Sequence, residues 1–355
     1  MFSIFATRMK TLHIFNPEHD IALAANLKNF TAPHAGRQLR SDMGYLPALW
    51  AHEDDAILVG DKEYASRAFN QVNSRCHLHL TAPQWVDRNM LAHESFDRIE
   101  PWGWDKALCH QLRHDGVEVN LLPDDIHLDE IRLLSHRRTS AALLPFLQTE
   151  WTVGEAFECR TLQEVDELQH QYGQIVVKAP WSSSGRGVQF ALQEGWLLNT
   201  IHRQGSVLVE PFFHKVKDFA MEFEADGCGG IRYVGLSLFH TKNGFYIGNL
   251  LATEDSKRQI MSQYIPVAWL DIICGKIVNH LKLGSYQGPF GVDMMVVKKD
   301  ERLLLHPCVE INLRRTMGHV ALQLSSHNED VFRVMRIELK EHYKMRIRKI
   351  SSFHA

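Results

Sequence analysis

The chain has no run of 18 uninterrupted apolar residues among its 355, so no membrane-spanning helix is expected. It lacks the cysteine patterns that staple secreted domains or ligate zinc. Cys76, Cys109, Cys159, Cys228, Cys274 and Cys308 contain no CxxC pair, and reduced thiols in a cytoplasm are the expectation. The opening MFSIFATRMKTLHIF has no apolar core followed by a small-residue cleavage site, so no signal peptide is expected. Excess charge is missing too. The net charge is -3, and the basic residues are dispersed except in Lys344-Met-Arg-Ile-Arg-Lys349, which offers no footprint for nucleic acid. No GxxxxGK[ST] announces a P-loop, and no GxSxG or Cys/His signature announces an activated nucleophile. The 21 histidines include close spacings such as His77 with His79 and His110 with His114, but without matching acidic or thiol partners at metal-ligand spacing. Solvated or internally satisfied histidines are expected there, not a metal site.

What is present is 45% apolar residues, enough for a large core in two or three domains. No internal repeat or low-complexity tract interrupts it. Thr11–Phe15, Ala56–Gly60 and Cys76–Leu80 read as strands separated by amphipathic segments, with Val117–Leu122 the candidate last strand. This order predicts a small parallel α/β domain ending at Pro123-Asp-Asp. A second unit begins near Leu133. It has a helix at Thr139–Leu147, a capping box opening a helix at Thr161-Leu-Gln-Glu164 that Gly173 can stop, and a strand at Ser206–Pro211. Further on come strands around Ile231–Tyr246, a helix over Ala268–Leu281, strands at Phe290–Val297 and Leu303–Asn312, and a final helix over Glu329–Lys344.

Within Ile175-Val-Val-Lys-Ala-Pro-Trp-Ser-Ser-Ser-Gly-Arg-Gly-Val188, two strand-like runs flank a tip of serines and glycines. Gly185 and Gly187 suit a turn that the serines merely solvate. The same small residues suit a cradle in which backbone N–H groups approach anionic oxygens, with Lys178 and Arg186 supplying charge. Lys178 interrupts an apolar strand, either as a snorkelling side chain at an edge or as a ligand contact. The second constellation is Gly288-Pro-Phe-Gly-Val-Asp293 followed by His306-Pro-Cys-Val-Glu-Ile-Asn312. Glu310 and Asn312, two apart in a strand, share a face. With a loop over residues 298 to 303, Cys308 lies opposite Asp293 and Glu310 is its diagonal neighbour, although Pro307 can impose a bulge. Such oxygen-bearing side chains at close quarters call for a hard cation, magnesium or manganese.

Together, Val-Val-Lys178 with the Ser/Gly tip, Val207-Leu-Val-Glu-Pro211, Gly291-Val-Asp293 and Glu310-Ile-Asn-Leu-Arg314 resemble the ATP-grasp superfamily over roughly residues 133 to 325. The resemblance implies an α/β and α+β fold: an N-terminal Rossmann-like domain over residues 1–130, a central subdomain with the flap over 131–205, and a C-terminal subdomain with the metal site and final helix over 206–355, the two subdomains enclosing ATP. It implies a cytoplasmic, magnesium- and ATP-dependent ligase. Such an enzyme activates a carboxylate as an acylphosphate and joins it to an amine or similar nucleophile, releasing ADP and phosphate. A small-molecule kinase and a non-catalytic ATP-binding regulator are the rival readings. Small-molecule or peptide carboxylates and amines are the implied partners; nucleic acid and membrane are not, and a homodimer is left open.

By position, the resemblance makes Lys178 the lysine at the adenine and α-phosphate, and Ser183, Ser184, Gly185, Arg186 and Gly187 the flap. Arg137 is the earlier phosphate contact, with Arg138 as alternative. Glu210 takes the adenine edge, and Asp218 the ribose, with Glu222 as rival. His240 and Lys242 become phosphate candidates, Asp293, Glu310 and Asn312 metal ligands, and Arg314 the holder of the acyl oxygen or phosphoryl group, which makes it catalytic alongside Lys178. For substrate, the candidates are Glu18, His19 and Arg37. Asn16-Pro-Glu-His-Asp20 also reads as a plain helix start, with Asn as N-cap and Pro at the first position.

Overall fold

The computed structural model describes residues 9–182, 187–242, 245–325 and 331–350. The chain divides into two units, one comprising the residues up to Leu128 with Glu338–Met345, the other Asp129–Ile337 with the residues from Arg346 onward.

In the first unit β1 (Thr11–Ile14), β2 (Ala56–Leu58), β3 (Gln84–Val86) and β4 (Arg98–Pro101) form a parallel sheet in the order β3-β2-β1-β4. β1 is buried at all four positions. Leu12, Ile14, Ala56, Leu58, Val86 and Ile99 pack with Leu108 and Leu112 of the helix Lys106–His114. Because β2 and β4 flank β1 on opposite sides, the strand order reverses at β1, and the carboxyl ends of β1 and β4 border the crevice that such a switch creates.

Two of the expected strands in this unit are not strands. The helix Lys62–Cys76 runs on through Cys76, and His77 then adopts the left-handed conformation. The Asn73 side chain grips the backbone N–H and C=O of Leu80 at 3.0 and 2.7 Å, so those groups are satisfied without a sheet. The third strand is Gln84–Val86 instead. Val117–Leu122 holds only a 3-10 turn, Val119–Leu121, and the place beside β1 is taken by β4, whose Arg-Ile-Glu-Pro sequence carries a single buried apolar residue, Ile99.

Among the described residues, the second unit holds two whole four-stranded sheets and most of a third, whose last two strands run into Glu338–Met345 of the first unit. β5 (Phe157–Cys159), β6 (Ile175–Lys178), β7 (Val188–Gln189) and β8 (Val207–Pro211) pair antiparallel in the order β5-β8-β6-β7. Helices Leu162–Tyr172, with the expected Thr161/Glu164 capping box, and Glu194–Gln204 bury Val165 and Leu197 against Ile175, Val177, Val207 and Val209.

β9 (His214–Asp226), β10 (Ile231–Ser237), β13 (Gln287–Lys299) and β14 (Arg302–Asn312) form the sheet β10-β9-β13-β14. Along β9, Phe219, Met221 and Phe223 are fully buried on one face, while Asp218, Ala220 and Glu222 alternate onto the other. The last sheet is β11-β12-β15-β16, from β11 (Phe239–Lys242), β12 (Phe245–Leu251), β15 (Arg333–Leu339) and β16 (Tyr343–Lys349). Its last two strands stand where a final helix is expected. Met335 and Val334 pair with Asn249 and Leu250 of β12, and this pairing overrides the helical propensity of an Arg- and Lys-rich segment.

Candidate functional site

One face of the β10-β9-β13-β14 sheet gathers acids. The register pairs Asp293 directly with Glu310 and Gly291 with Asn312, while Gly291 also faces Glu222 and Met295 faces Asp218. Partners directly opposite share a face, so Asp218, Glu222, Asp293, Glu310 and Asn312 project together. Glu310 is thus the direct partner of Asp293 and not its diagonal neighbour. The next pair along is Met295 with His306, so two steps on β13 match four on β14, and the extra residues form a bulge around Pro307.

Burial, and next the charge of Glu310, push the Asp293 carboxyl up to about 7, opposed by a hydrogen bond from Asn312 and by Arg314. Asn312 Oδ1 accepts from Arg314 at 3.1 Å, and Glu310 Oε2 meets the Arg137 guanidinium at 2.8 Å. Among the described residues, no three His, Cys, Asp or Glu side chains form a metal-holding group by themselves. Asp293, Glu310 and the Asn312 amide do offer hard oxygens, and a cation between them would relieve the strain of facing carboxyls. The residues present therefore fit magnesium or manganese.

On the neighbouring β6–β8 pair, Val176 faces Glu210 and Lys178 faces Leu208. Lys178 Nζ reaches diagonally to Glu210 Oε2 at 2.6 Å, both side chains almost wholly buried. The buried Cys308 thiol feels Glu210, Lys178 and Asp293 together, which links this pair to the acid face. Arg137 is a third link. Besides Glu310, it donates through Nε to the Ala179 carbonyl at 3.0 Å and through a terminal nitrogen to Ser182 Oγ at 3.0 Å. Arg138 turns instead to Glu158 at 3.3 Å.

The strands on either side of the Ser/Gly stretch, β6 and β7, pair antiparallel, and Ala179 N–H donates to the Gly187 carbonyl at 2.7 Å. A Cβ on Gly187 would collide with Ser182 and press Ala179 at 3.1 Å, so only glycine fits. Ser183, Ser184, Gly185 and Arg186 lie outside the described residues, as does the Lys242 side chain.

Asp218 accepts from Lys215 and from Thr241, each at 2.6 Å. His240 feels both Lys217 and Asp218. Glu222 lies deeper, 1% exposed, and burial, with the charge of Asp293 next, pushes its carboxyl up to about 8. His319 is held neutral by burial, its pKa near 3; Nε2 faces the Phe223 carbonyl at 3.2 Å, leaving Nδ1 to accept. Glu222 Oε2 lies 3.1 Å from that nitrogen and 2.9 Å from the Thr316 hydroxyl. A protonated Glu222 donating to Nδ1 satisfies every partner. Thr316 and His319 escaped the sequence reading because they join Glu222 across more than ninety residues. Glu222 itself was legible as the alternate position to Asp218.

In the first unit, Asn16 does not cap a helix. Its amide reaches the Gly103 carbonyl at 2.8 Å and Asp105 at 3.3 Å, and the helix His19–Ala25 has Glu18 as N-cap with no side-chain capping bond. Glu18 pairs with Arg40 at 2.9 Å, His19 Nδ1 with Asp105 at 3.2 Å, and Arg37 donates to the Ala32 carbonyl at 2.9 Å. These three substrate candidates are therefore engaged by their own unit.

No family model and no curated protein matches the chain. Solved structures do resemble it. N5-carboxyaminoimidazole synthetase from Staphylococcus aureus, complexed with ADP, is 14% identical, with 93% of this chain and 82% of that one covered at TM-score 0.47. The biotin carboxylase domain of Hydrogenobacter thermophilus 2-oxoglutarate carboxylase, a dimer in complex with MgADP, ADP and bicarbonate, is 13% identical over 93% and 75% at TM-score 0.48. L-amino acid ligase from Bacillus licheniformis is 12% identical over 93% and 80% at TM-score 0.43. All three are remote likenesses.

Proposed function

We propose that the second unit is an ADP-forming ligase: it binds Mg-ATP, activates a carboxylate by phosphorylation and passes the acyl group to a nitrogen nucleophile. The observation that carries this reading is the direct Asp293–Glu310 pairing, flanked by Asn312 and Arg314 and tied through Arg137 to the hairpin after β6. Two facing carboxyl groups, Asp293 with its proton affinity raised by burial and then by the charge of Glu310, each with an arginine nearby, suit the holding of a cation.

The roles follow from position. Lys178 neutralises the α-phosphate while Glu210, paired with it, accepts from the exocyclic amine of the base. Asp218 takes the ribose hydroxyls, exchanging the Lys215 and Thr241 contacts for them. Arg137, ion-paired with Glu310 at 2.8 Å, would contact the phosphates, and Glu310 with Asp293 and Asn312 would hold the cation. Arg314, steadied by Asn312, grips the acyl oxygen or the transferred phosphoryl group in its planar fork. The cation supplies neutralisation of charge spreading over the phosphoryl oxygens. The carboxylate oxygen bonds to the terminal phosphorus as the bond to ADP breaks, and the nitrogen then attacks the acyl carbon and expels phosphate. No side chain need serve as covalent nucleophile.

Glu310→Gln removes one hard ligand while keeping shape, and the expected outcome is a loss of ADP formation of about 100-fold or more. Calorimetry with ATP, with and without magnesium, supplies the companion test. Metal-independent ATP affinity equal in wild type and variant would overturn the assignment.

A further inference from the structure

His306 on β14 is a buried polar side chain that the roles above leave unused. It is 0% exposed, and among the described residues neither Nδ1 nor Nε2 has a hydrogen-bond partner. Burial, and next the charge of Lys178, hold its pKa near 3, with its own backbone pulling the other way. The imidazole is therefore neutral, with one N–H to donate and one lone pair to accept. Buried groups of this kind are costly to leave unmet, and in folded proteins they nearly always find a partner.

The neighbours of the ring do not supply one. Leu305 exchanges backbone hydrogen bonds with Trp151 and Val153 at 3.1 and 2.9 Å, which brings Gly154 against His306. A Cβ on Gly154 would lie 2.7 Å from Nε2, and the Gly154 carbonyl already accepts from Gln148 at 3.1 Å. Phe213 stands edge-on to the imidazole, with ring centroids 5.8 Å apart, and has no polar atom to offer.

The register puts this unmet ring on the acid face. Met295 on β13 pairs with His306 on one side and with Asp218 on the other, so the three form a row across the sheet. Met295 is two positions from Asp293, which places the row beside the proposed cation ligands. The His306 end also borders the β6–β8 pair. Lys178 acts on its charge, and Phe213 follows Glu210 by three residues.

We propose that His306 is a specificity-determining residue for the nucleotide base: its N–H donates to a ring nitrogen of the purine whose exocyclic amine Glu210 accepts from. The inference deepens the ligase reading and rests on it for the nucleotide. With the ribose at Asp218 and the amine at Glu210, the base lies over Met295 and meets the imidazole at the end of the row. Because His306 is closed from water, the base reaches it by moving a neighbour, and the half-buried Phe213 is that neighbour. A base without the ring nitrogen leaves the buried N–H unmet, which is how a polar site rejects a near-isostere.

Calorimetry with Mg-ATP and with its 1-deaza, 3-deaza and 7-deaza analogues, each lacking one ring nitrogen, tests the proposal on wild type, His306→Leu and His306→Gln. Wild type should bind one analogue about tenfold or more weakly than ATP. His306→Leu should bind ATP and that analogue alike, and His306→Gln, which keeps a donor, should retain part of the discrimination. A merely structural role for His306 would weaken all four ligands together and leave their ratios unchanged. Wild type binding all three analogues as tightly as ATP, or discrimination that persists in full in both variants, would overturn the assignment while the ligase reading stands. If wild type binds no ATP at all, the ligase reading fails and the role of His306 falls with it.

Discussion

Lys178 and Glu210 meet at 2.6 Å with both side chains almost wholly out of water. Truncating one partner leaves the other charge buried and unpaired. Lys178→Ala should therefore destabilise the second unit by about 3–5 kcal/mol in denaturant melts. Lys178→Met with Glu210→Leu should recover most of that loss, and it is in the double variant that a fall in nucleotide affinity can be read apart from folding. Glu222 gives a second residue-scale prediction. Its folded carboxyl titrates near 8, above the ordinary value of 4.5, so the folded chain keeps a proton that the unfolded chain has released. The resulting stability is fully present below the unfolded pKa and is lost as pH rises through the folded one. The urea midpoint of wild type should fall between these values, and Glu222→Gln, whose amide also donates to His319, should flatten the curve. Parallel curves would contradict a protonated Glu222. The sequence exposed Lys178, Glu310 and Asn312 because each is a polar residue inside an apolar strand. It could not expose the depth of Glu222, since alternation gives a face and not a burial, nor the partnership with Thr316 and His319, which only the fold brings together.

At the scale of elements, the β6–β7 hairpin and the β13–β14 pair set the site, and both depend on local irregularity. Gly187→Ala pushes a methyl into Ser182 and Ala179. It should cost about 1–3 kcal/mol and should loosen the Arg137–Ser182 bond, so thermal melts and Mg-ATP titration should both register it. A variant with wild-type melting and affinity would show that the hairpin tolerates a Cβ. β13 and β14 were legible from their residues as strands at Phe290–Val297 and Leu303–Asn312, whereas the long strand β9 was not anticipated. The bulge at Pro307 was legible as a possibility, but its size was not, because register depends on where both strands start pairing. Asn73 clasping Leu80, and β12 recruiting the segment after Phe332, are tertiary events that local propensity cannot announce.

For the whole molecule, Cys76, Cys109, Cys159 and Cys308 are free and buried, Cys274 is half-buried and Cys228 is exposed. Burial pushes the thiols of Cys109 and Cys308 to about 12 and that of Cys159 to about 11. A disulfide reagent should consequently titrate Cys228 at once and Cys274 slowly in the native protein, and all six thiols in denaturant. Rapid native labelling of Cys308 would contradict the packing beneath the acid face. Among the described residues no helix is long and apolar enough to cross a membrane. The central claim is a cation-dependent transfer from ATP to a carboxylate at Asp293, Glu310 and Asn312. The most direct test is ADP release by the purified protein with Mg-ATP and pooled carboxylic acids, with and without amines, beside Glu310→Gln. The ligase account predicts release that needs an acid and an amine together and vanishes in the variant. Release that persists in Glu310→Gln, or that needs no acid, would contradict it.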